Sequence, residues 1–123
     1  MKNELVWFIP AVLVALGILA LSTFLAIPIQ VEGVNHLDKW QHTFAYFVLS
    51  FSFLLAFKKS RKLSGKTAWL VLIAAGFYGL GLEFVQFKFF EYRVFEWADA
   101  LANVLGALLG FILFWTINRW LGG

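Results

Sequence analysis

The stretch Trp97 to Ile117, WADALANVLGALLGFILFWTI, decides the fold of this chain. A helix of this length is about 30 Å long, which matches the hydrocarbon thickness of a bilayer. Its one ionisable residue, Asp99, stands near one end, and Gly106 and Gly110 form a GxxxG step. Such a step lets a second helix approach closely in a membrane. The stretch therefore predicts a membrane-spanning helix packed tightly within a helical bundle.

Three further segments are long and apolar enough to span a membrane. The composition agrees, because 62% of the 123 residues are hydrophobic and only 14% are charged, whereas a soluble domain is about half apolar and a quarter charged. The first segment is longer than the apolar core of a cleaved signal peptide, so we expect it to be retained, with Pro10 tolerated in it or causing a mild kink. We predict an all-α fold, a single membrane domain over residues 1–123 with four transmembrane helices at about 5–29, 40–57, 68–90 and 97–117.

Charged residues outside the predicted spans indicate the orientation. The link at residues 58–67 carries five cations and no acid: Lys58, Lys59, Arg61, Lys62 and Lys66. Cytoplasmic links are rich in Lys and Arg, so this link and both termini are predicted to be cytoplasmic. The tryptophans agree, because they fall into two belts at the two membrane interfaces. The formal charge of +3 thus reflects topology, and no nucleic-acid partner is expected.

Polar residues within the spans fall near the outer surface in this topology. Asp38, His42 and Tyr46 are spaced four apart, so they share one face of the second helix. The third and fourth helices each carry a similar pair of polar residues on one face. Polar groups are costly in hydrocarbon and are usually retained for a reason. We expect these faces to turn inward and form a polar pocket lined by Asp38, Lys39, His42, Tyr46, Glu83, Gln86, Arg93, Asp99 and Asn103.

Structural roles compete with functional ones for several of these residues. Glu83 is the strongest functional candidate, because a carboxylate inside a span is expensive, and the structural alternative is an ion pair with Arg93 or Lys39. For Gln86 and Asn103 the structural role, a hydrogen bond between helices, is the favoured interpretation. Asp99 could simply stabilise the start of its helix.

Recognised catalytic motifs are absent from the sequence. It contains no HExxH, Walker loop, dinucleotide fingerprint or GxSxG motif, and it has no cysteine. His42 with Asp38 or Glu83 could act as a general acid or base, but no nucleophile accompanies them. The same residues and Asp99 could supply metal ligands, although not in a compact motif. We therefore predict no metal and no cofactor, and leave open whether the protein is an enzyme.

Two stretches resemble the VanZ-like family of membrane proteins. Leu37 to Leu49, LDKWQHTFAYFVL, is similar to the family pattern DKxxHxxAYxxL. The second family pattern, ExxQ…R…DxxxNxxGxxxG, resembles the series Glu83, Gln86, Arg93, Asp99, Asn103, Gly106 and Gly110. The resemblance covers residues 38–110. One departure is the segment 89–92, Phe-Phe-Glu-Tyr, where the family often has a Pro-Gly-like turn.

This resemblance implies a small helical, multi-pass protein of the bacterial cytoplasmic (inner) membrane, with the nine pocket residues as family motif positions. The family's namesake is linked to low-level resistance to teicoplanin, a glycopeptide that acts on cell-wall precursors outside the membrane. The resemblance thus implies antibiotic resistance or another cell-envelope role, without specifying a reaction.

Three functions remain open from the sequence. The extracytoplasmic pocket could bind a cell-envelope lipid or a glycopeptide-type ligand, with Lys39 and Arg93 engaging phosphate. Alternatively, the protein could be a membrane enzyme that uses His42, with Asp38 or Glu83, as an acid or base on an envelope lipid. In the third hypothesis it is a structural accessory subunit of a larger membrane complex. Membrane lipids are expected partners in each case, and another membrane protein is a further candidate.

Overall fold

The computed structural model of the chain describes residues 4–20, 35–89 and 97–121. In these ranges all regular structure is helical: a 3-10 helix at Glu4–Phe8, then α1 (Ile9–Leu19), α2 (Asn35–Lys59), α3 (Gly65–Phe89) and α4 (Trp97–Trp120). Helices α2 and α4 extend beyond the segments predicted at 40–57 and 97–117, and α3 covers all but the last residue of 68–90. The predicted first span, 5–29, is helical as far as residue 20, and residues 21–29 lie outside the described residues.

Two of the described helices are long and apolar enough to cross a membrane. These are α3 over Gly65–Val85 and α4 over Ala100–Trp120. The 3-10 helix and α1 together form a shorter apolar stretch, Leu5–Leu19. Helix α2 is as long as α3, but it is not one of the two helices that are both long and apolar enough to cross a membrane. The prediction of an all-helical protein with membrane-spanning helices is thus confirmed at this level, and four spans with cytoplasmic termini stay a prediction.

Pro10 marks the beginning of α1 and does not lie inside a longer helix. The chain forms a 3-10 helix up to Phe8, and Pro10 is the second residue of the α-helix that follows. The first N–H groups of an α-helix have no partner within the helix, so proline is tolerated there. The predicted first span places Pro10 inside a helix that begins near residue 5; the structure places it instead at the second residue of α1, where it is tolerated as predicted.

The basic link between α2 and α3 is a tight reversal. Arg61 adopts a left-handed conformation with φ of 62° where the chain leaves α2. Ser64 and Thr67 then cap α3 reciprocally: the Thr67 N–H donates to Ser64 Oγ at 3.2 Å, and the Ser64 N–H donates to Thr67 Oγ1 at 2.7 Å. This short connection makes α2 and α3 antiparallel neighbours.

Helix α2 packs against each of the other helices, most extensively against α4. A Cβ added at Gly106 would collide with the backbone carbonyl of Thr43, and one added at Gly110 would collide with the carbonyl of Phe47. The order of these contacts shows that α2 and α4 run parallel. The predicted role of the GxxxG step in close packing is thus confirmed.

Two groups of buried apolar side chains form the core. One draws on all four α-helices and includes Ile18, Tyr46, Leu49, Ala75, Leu82 and Ala107. The second lies towards the basic link and includes Leu54, Ala68, Val71 and Phe114. Between them the Ser50 hydroxyl donates a hydrogen bond to the Ala107 carbonyl at 2.9 Å, a polar contact between α2 and α4.

Candidate functional site: a buried polar cluster

Helices α2, α3 and α4 each bury one polar residue at the same end of the bundle. We refer to Tyr46, Glu83 and Asn103 as the polar cluster; they are 2%, 5% and 2% exposed. Glu83 stands two residues before Val85, where the candidate span of α3 ends, and Asn103 three residues after Ala100, where that of α4 begins. The cluster therefore lies about 5 Å or less inside the ends of both spans.

Gly79 of α3 provides the space in which the cluster packs. A Cβ added there would lie 2.9 Å from both Cβ and Nδ2 of Asn103 and 3.1 Å from Cε2 of Tyr46. Glu83 follows Gly79 by four residues, so both lie on one face of α3. Because Gly79 has no side chain, residues of α2 and α4 can meet beside Glu83.

The side-chain oxygen of Asn103 is the unusual atom of the cluster. Its Oδ1 is buried, and no group in the described part of the chain donates a hydrogen bond to it. An unpaired buried polar atom costs about 1–3 kcal/mol, and such atoms are uncommon in folded proteins. An amide oxygen only accepts hydrogen bonds, and the carboxyl group of Glu83 also provides acceptor oxygens. The cluster is therefore suited to a group that donates, such as a hydroxyl, an amine or a water.

Two neighbouring side chains extend the cluster. His42 is half-buried one turn before Tyr46, on the same face of α2 as predicted. The ring centroid of Tyr78 lies 6.4 Å from that of Tyr46, and the Tyr78 hydroxyl donates to the backbone carbonyl of Ala15 at 2.5 Å. Tyr78 thus connects the cluster to α1.

The structure brings together three of the nine predicted pocket residues, Tyr46, Glu83 and Asn103, and places a fourth, His42, one turn away. The remaining five cannot be placed as side chains. Asp38 and Lys39 belong to α2, Gln86 to α3 and Asp99 to α4, but their side chains lie outside the described part. Arg93 lies outside the described residues altogether.

Sequence analysis missed Gly79 and Tyr78. The sequence did contain a signal for Gly79. It stands about one helical turn from a polar residue, Glu83, just as Gly106 stands nearly one turn from Asn103. A small residue beside a buried polar residue is typical of close helix packing in membranes. Tyr78 had no such signal, since its partner is a backbone carbonyl of another helix.

Among the described side chains, no group of three His, Asp or Glu residues converges to hold a metal ion. This does not test the hypothetical set of Asp38, His42, Glu83 and Asp99, because the side chains of the two aspartates are outside the described part. The cluster itself provides buried hydrogen-bond acceptors next to an aromatic hydroxyl.

The chain is similar to a known protein and matches one family model. An uncharacterised protein of the fission yeast Schizosaccharomyces pombe is 38% identical over 88 residues, which are 72% of this chain and 49% of the yeast protein. The chain thus spans about half the length of that relative. No solved structure matches it. The family model described as VanZ/LLP1 matches residues 3–118. This match covers nearly the whole chain and, together with the two candidate spans, indicates a membrane protein; the chain belongs to the VanZ/LLP1 family.

Proposed function

We propose that this protein crosses the membrane four times and binds the head group of a membrane lipid at the polar cluster. The observation that carries the proposal is the buried Asn103 Oδ1, which has no hydrogen-bond donor in the described part of the chain. It lies beside the buried Glu83, within about 5 Å of the ends of two spans. The head-group region of a bilayer begins where a span ends, so a head group would have to reach only about 5 Å inward to meet these atoms. A donor from a head group would satisfy the atom that the protein leaves unpaired.

The charge distribution supports an extracytoplasmic position for this site. The five cations of the basic link (residues 58–66) lie at the end of α2 and the beginning of α3, opposite the cluster. The positive-inside rule assigns the basic link to the cytoplasm and the cluster to the outer leaflet. With four spans, both termini are cytoplasmic. In a bacterium this membrane is the inner membrane.

The chemistry of the cluster favours a ligand that donates hydrogen bonds. The Asn103 oxygen and the Glu83 carboxylate are acceptors, so a hydroxyl-rich or amine-bearing head group suits them. Lys39 and Arg93, at family motif positions, are suited to a phosphate on the same ligand. The fission yeast relative favours a lipid over a glycopeptide ligand, because membrane lipids occur in bacteria and fungi, whereas the wall precursors bound by glycopeptides are bacterial.

The test is native mass spectrometry with lipid identification on protein extracted from its own membrane. Asn103→Leu removes the unpaired oxygen, and Glu83→Gln replaces the carboxyl group by an amide of the same shape. Asn118→Leu is the matched control, because Asn118 is also buried in α4 with an unpaired Oδ1, but at the other end of the helix. We expect both cluster variants to retain about tenfold less of a discrete lipid, as for the loss of one hydrogen bond, and the control to resemble the wild type.

Other outcomes would redirect the assignment. Equal lipid retention in all four proteins, with lower thermal stability of the cluster variants, would overturn the proposal in favour of a structural accessory subunit. A chemically altered lipid that disappears in His42→Ala while binding persists would identify an enzyme.

A further inference from the structure

An apolar groove of about 390 Å³ runs between α1, α2 and α3. Leu70, Ala74 and Tyr78 form its α3 side, and Phe53 and Phe57 belong to its α2 side. At one end lies Tyr78, whose hydroxyl is bonded to α1. At the other end lie Phe57 and Leu70, the lining residues nearest to the basic link in sequence. The groove thus leads along the helices towards that link and away from the polar cluster.

The mouth of the groove adjoins positive charge. Lys66, Leu70, Ala74 and Tyr78 follow one another at four-residue intervals, so they form one stripe along α3 that begins with a cation. Lys66 is exposed. On the α2 side, Phe57 is followed directly by Lys58, the first cation of the basic link. An apolar groove therefore continues into a cationic surface within a few residues.

The neighbouring 3-10 helix shapes this mouth. The ring centroid of Phe8 lies 5.0 Å from that of Phe57 in an edge-to-face arrangement. The Lys59 Nζ lies 5.5 Å from the centre of the Trp7 ring, a cation–π contact. One cation of the link thus contacts the 3-10 helix, while Arg61, Lys62 and Lys66 are exposed, and Lys66 lies one turn before the lining residue Leu70.

We infer that the groove holds one hydrocarbon chain of an anionic phospholipid, whose phosphate is bound by the basic link. The phosphate end of this site lies at the opposite end of the bundle from the polar cluster, and the other end of the groove reaches Tyr78 beside Tyr46. The charge and the apolar lining match the two parts of such a lipid, since anionic lipids are attracted by clustered Lys and Arg next to a span.

The length and lining of the groove suit a hydrocarbon chain. From Leu70 to Tyr78, α3 rises about 12 Å. The lining is apolar, and the alanines at 15, 74 and 75 leave room for a single chain. The cations next to the groove favour an anionic lipid over an apolar helix of a partner protein, because the phosphate of the lipid would pair with them.

The experiment uses the full chain purified in detergent and titrated with phosphatidylglycerol or phosphatidylcholine of identical chains, with bound lipid counted by native mass spectrometry. Ala74→Phe fills the groove; its control, Ile73→Phe, places the same ring at an exposed neighbouring position that does not line it. Lys66→Gln removes a cation at the mouth; its control, Arg119→Gln, removes an exposed cation from the end of α4. Thermal melting of each variant confirms folding, and Ala74→Leu repeats the test with a smaller side chain.

We expect the wild type to bind phosphatidylglycerol about tenfold more tightly than phosphatidylcholine. Ala74→Phe should lose most of this binding, and Lys66→Gln should weaken it about fivefold, whereas both controls should bind as the wild type does. Equal binding of the two lipids, or unchanged binding by folded Ala74→Phe, overturns the inference. Binding that depends on Glu83 and Asn103 but not on Ala74 also overturns it and leaves the proposed function standing. Loss at Ala74 and Lys66 without any effect at the cluster supports this site independently.

Discussion

Gly106 of α4 packs directly against the backbone carbonyl of Thr43 in α2, so the two helices are in contact through their main chains. One turn further along α4, Gly110 repeats the contact on the carbonyl of Phe47. A side chain can avoid a clash by changing its rotamer, but a backbone carbonyl can move only if its whole helix moves. The α2–α4 interface is therefore the least adaptable contact that the described residues show.

Gly106→Ala should destabilise the bundle, because the added methyl group forces α2 and α4 apart. We expect the free energy of unfolding in detergent to fall by about 1–3 kcal/mol, the usual cost of overpacking. Gly81→Ala is the control, since a Cβ at Gly81 would have no atom within 4 Å, and it should be neutral or slightly stabilising. Equal effects of the two substitutions would contradict the close approach.

Gly79→Ala should disturb the polar cluster. The new methyl group would lie 2.9 Å from the Cβ of Asn103, an atom fixed to the α4 backbone, so α3 and α4 have to move apart locally and the side chains of Asn103 and Tyr46 are displaced. We expect about a tenfold loss of the lipid retained at the cluster, as for a misplaced hydrogen-bonding group. Gly76→Ala is matched, because its Cβ would meet only Val104 Cγ2 at an ordinary 3.8 Å. Undiminished lipid retention in Gly79→Ala would argue against the cluster as a binding site.

Tyr78→Phe should loosen α1 while the other helices stay packed. The substitution keeps the ring but removes the hydroxyl that donates to the Ala15 carbonyl, a loss of about 0.5–1.5 kcal/mol. Hydrogen exchange measured by mass spectrometry should become faster in α1 and unchanged in α4. Thr116→Val is the control, since the Thr116 hydroxyl bonds to Ile112 within its own helix. Slow exchange of α1 in Tyr78→Phe would show that this bond does not hold the helix.

The topology can be tested with single cysteines, because the natural chain has none. We expect Ser64→Cys, an exposed position in the basic link, to react with a membrane-impermeant maleimide only after the cells are opened. Asn35→Cys, at the first residue of α2, should react in intact cells. The reverse pattern would place the basic link outside and the polar cluster on the cytoplasmic side.

Spacing within a single helix made part of this structure predictable. Gly106 and Gly110 stand four apart in an apolar stretch, and this alone predicted a close helix contact. The same reasoning put His42 and Tyr46 on one face. The identity of the partner surface could not be predicted, because Thr43 and Phe47 take part through backbone atoms that any sequence would supply.

Most of the features that could not be predicted depend on which helices pack against each other. Gly79 matters because Tyr46 and Asn103 from two other helices meet above it, and the sequence does not state which helices are neighbours. The change from a 3-10 helix to α1 at Ile9 was not predicted, for a different reason. Apolar composition is similar before and after Pro10, so it does not distinguish a 3-10 turn from the α-helix that follows.

The hydrogen bond between Tyr78 and Ala15 has a mechanical consequence. Helices α2 and α4 are joined along their main chains, whereas α1 is held by packed side chains and by this hydrogen bond to α3 beside the groove. Side-chain contacts rearrange more readily than main-chain contacts, so a thicker or longer guest in the groove would displace α1 before it displaced α2 from α4. Because Tyr78 also lies next to Tyr46, a shift of α1 at this bond would reach the polar cluster.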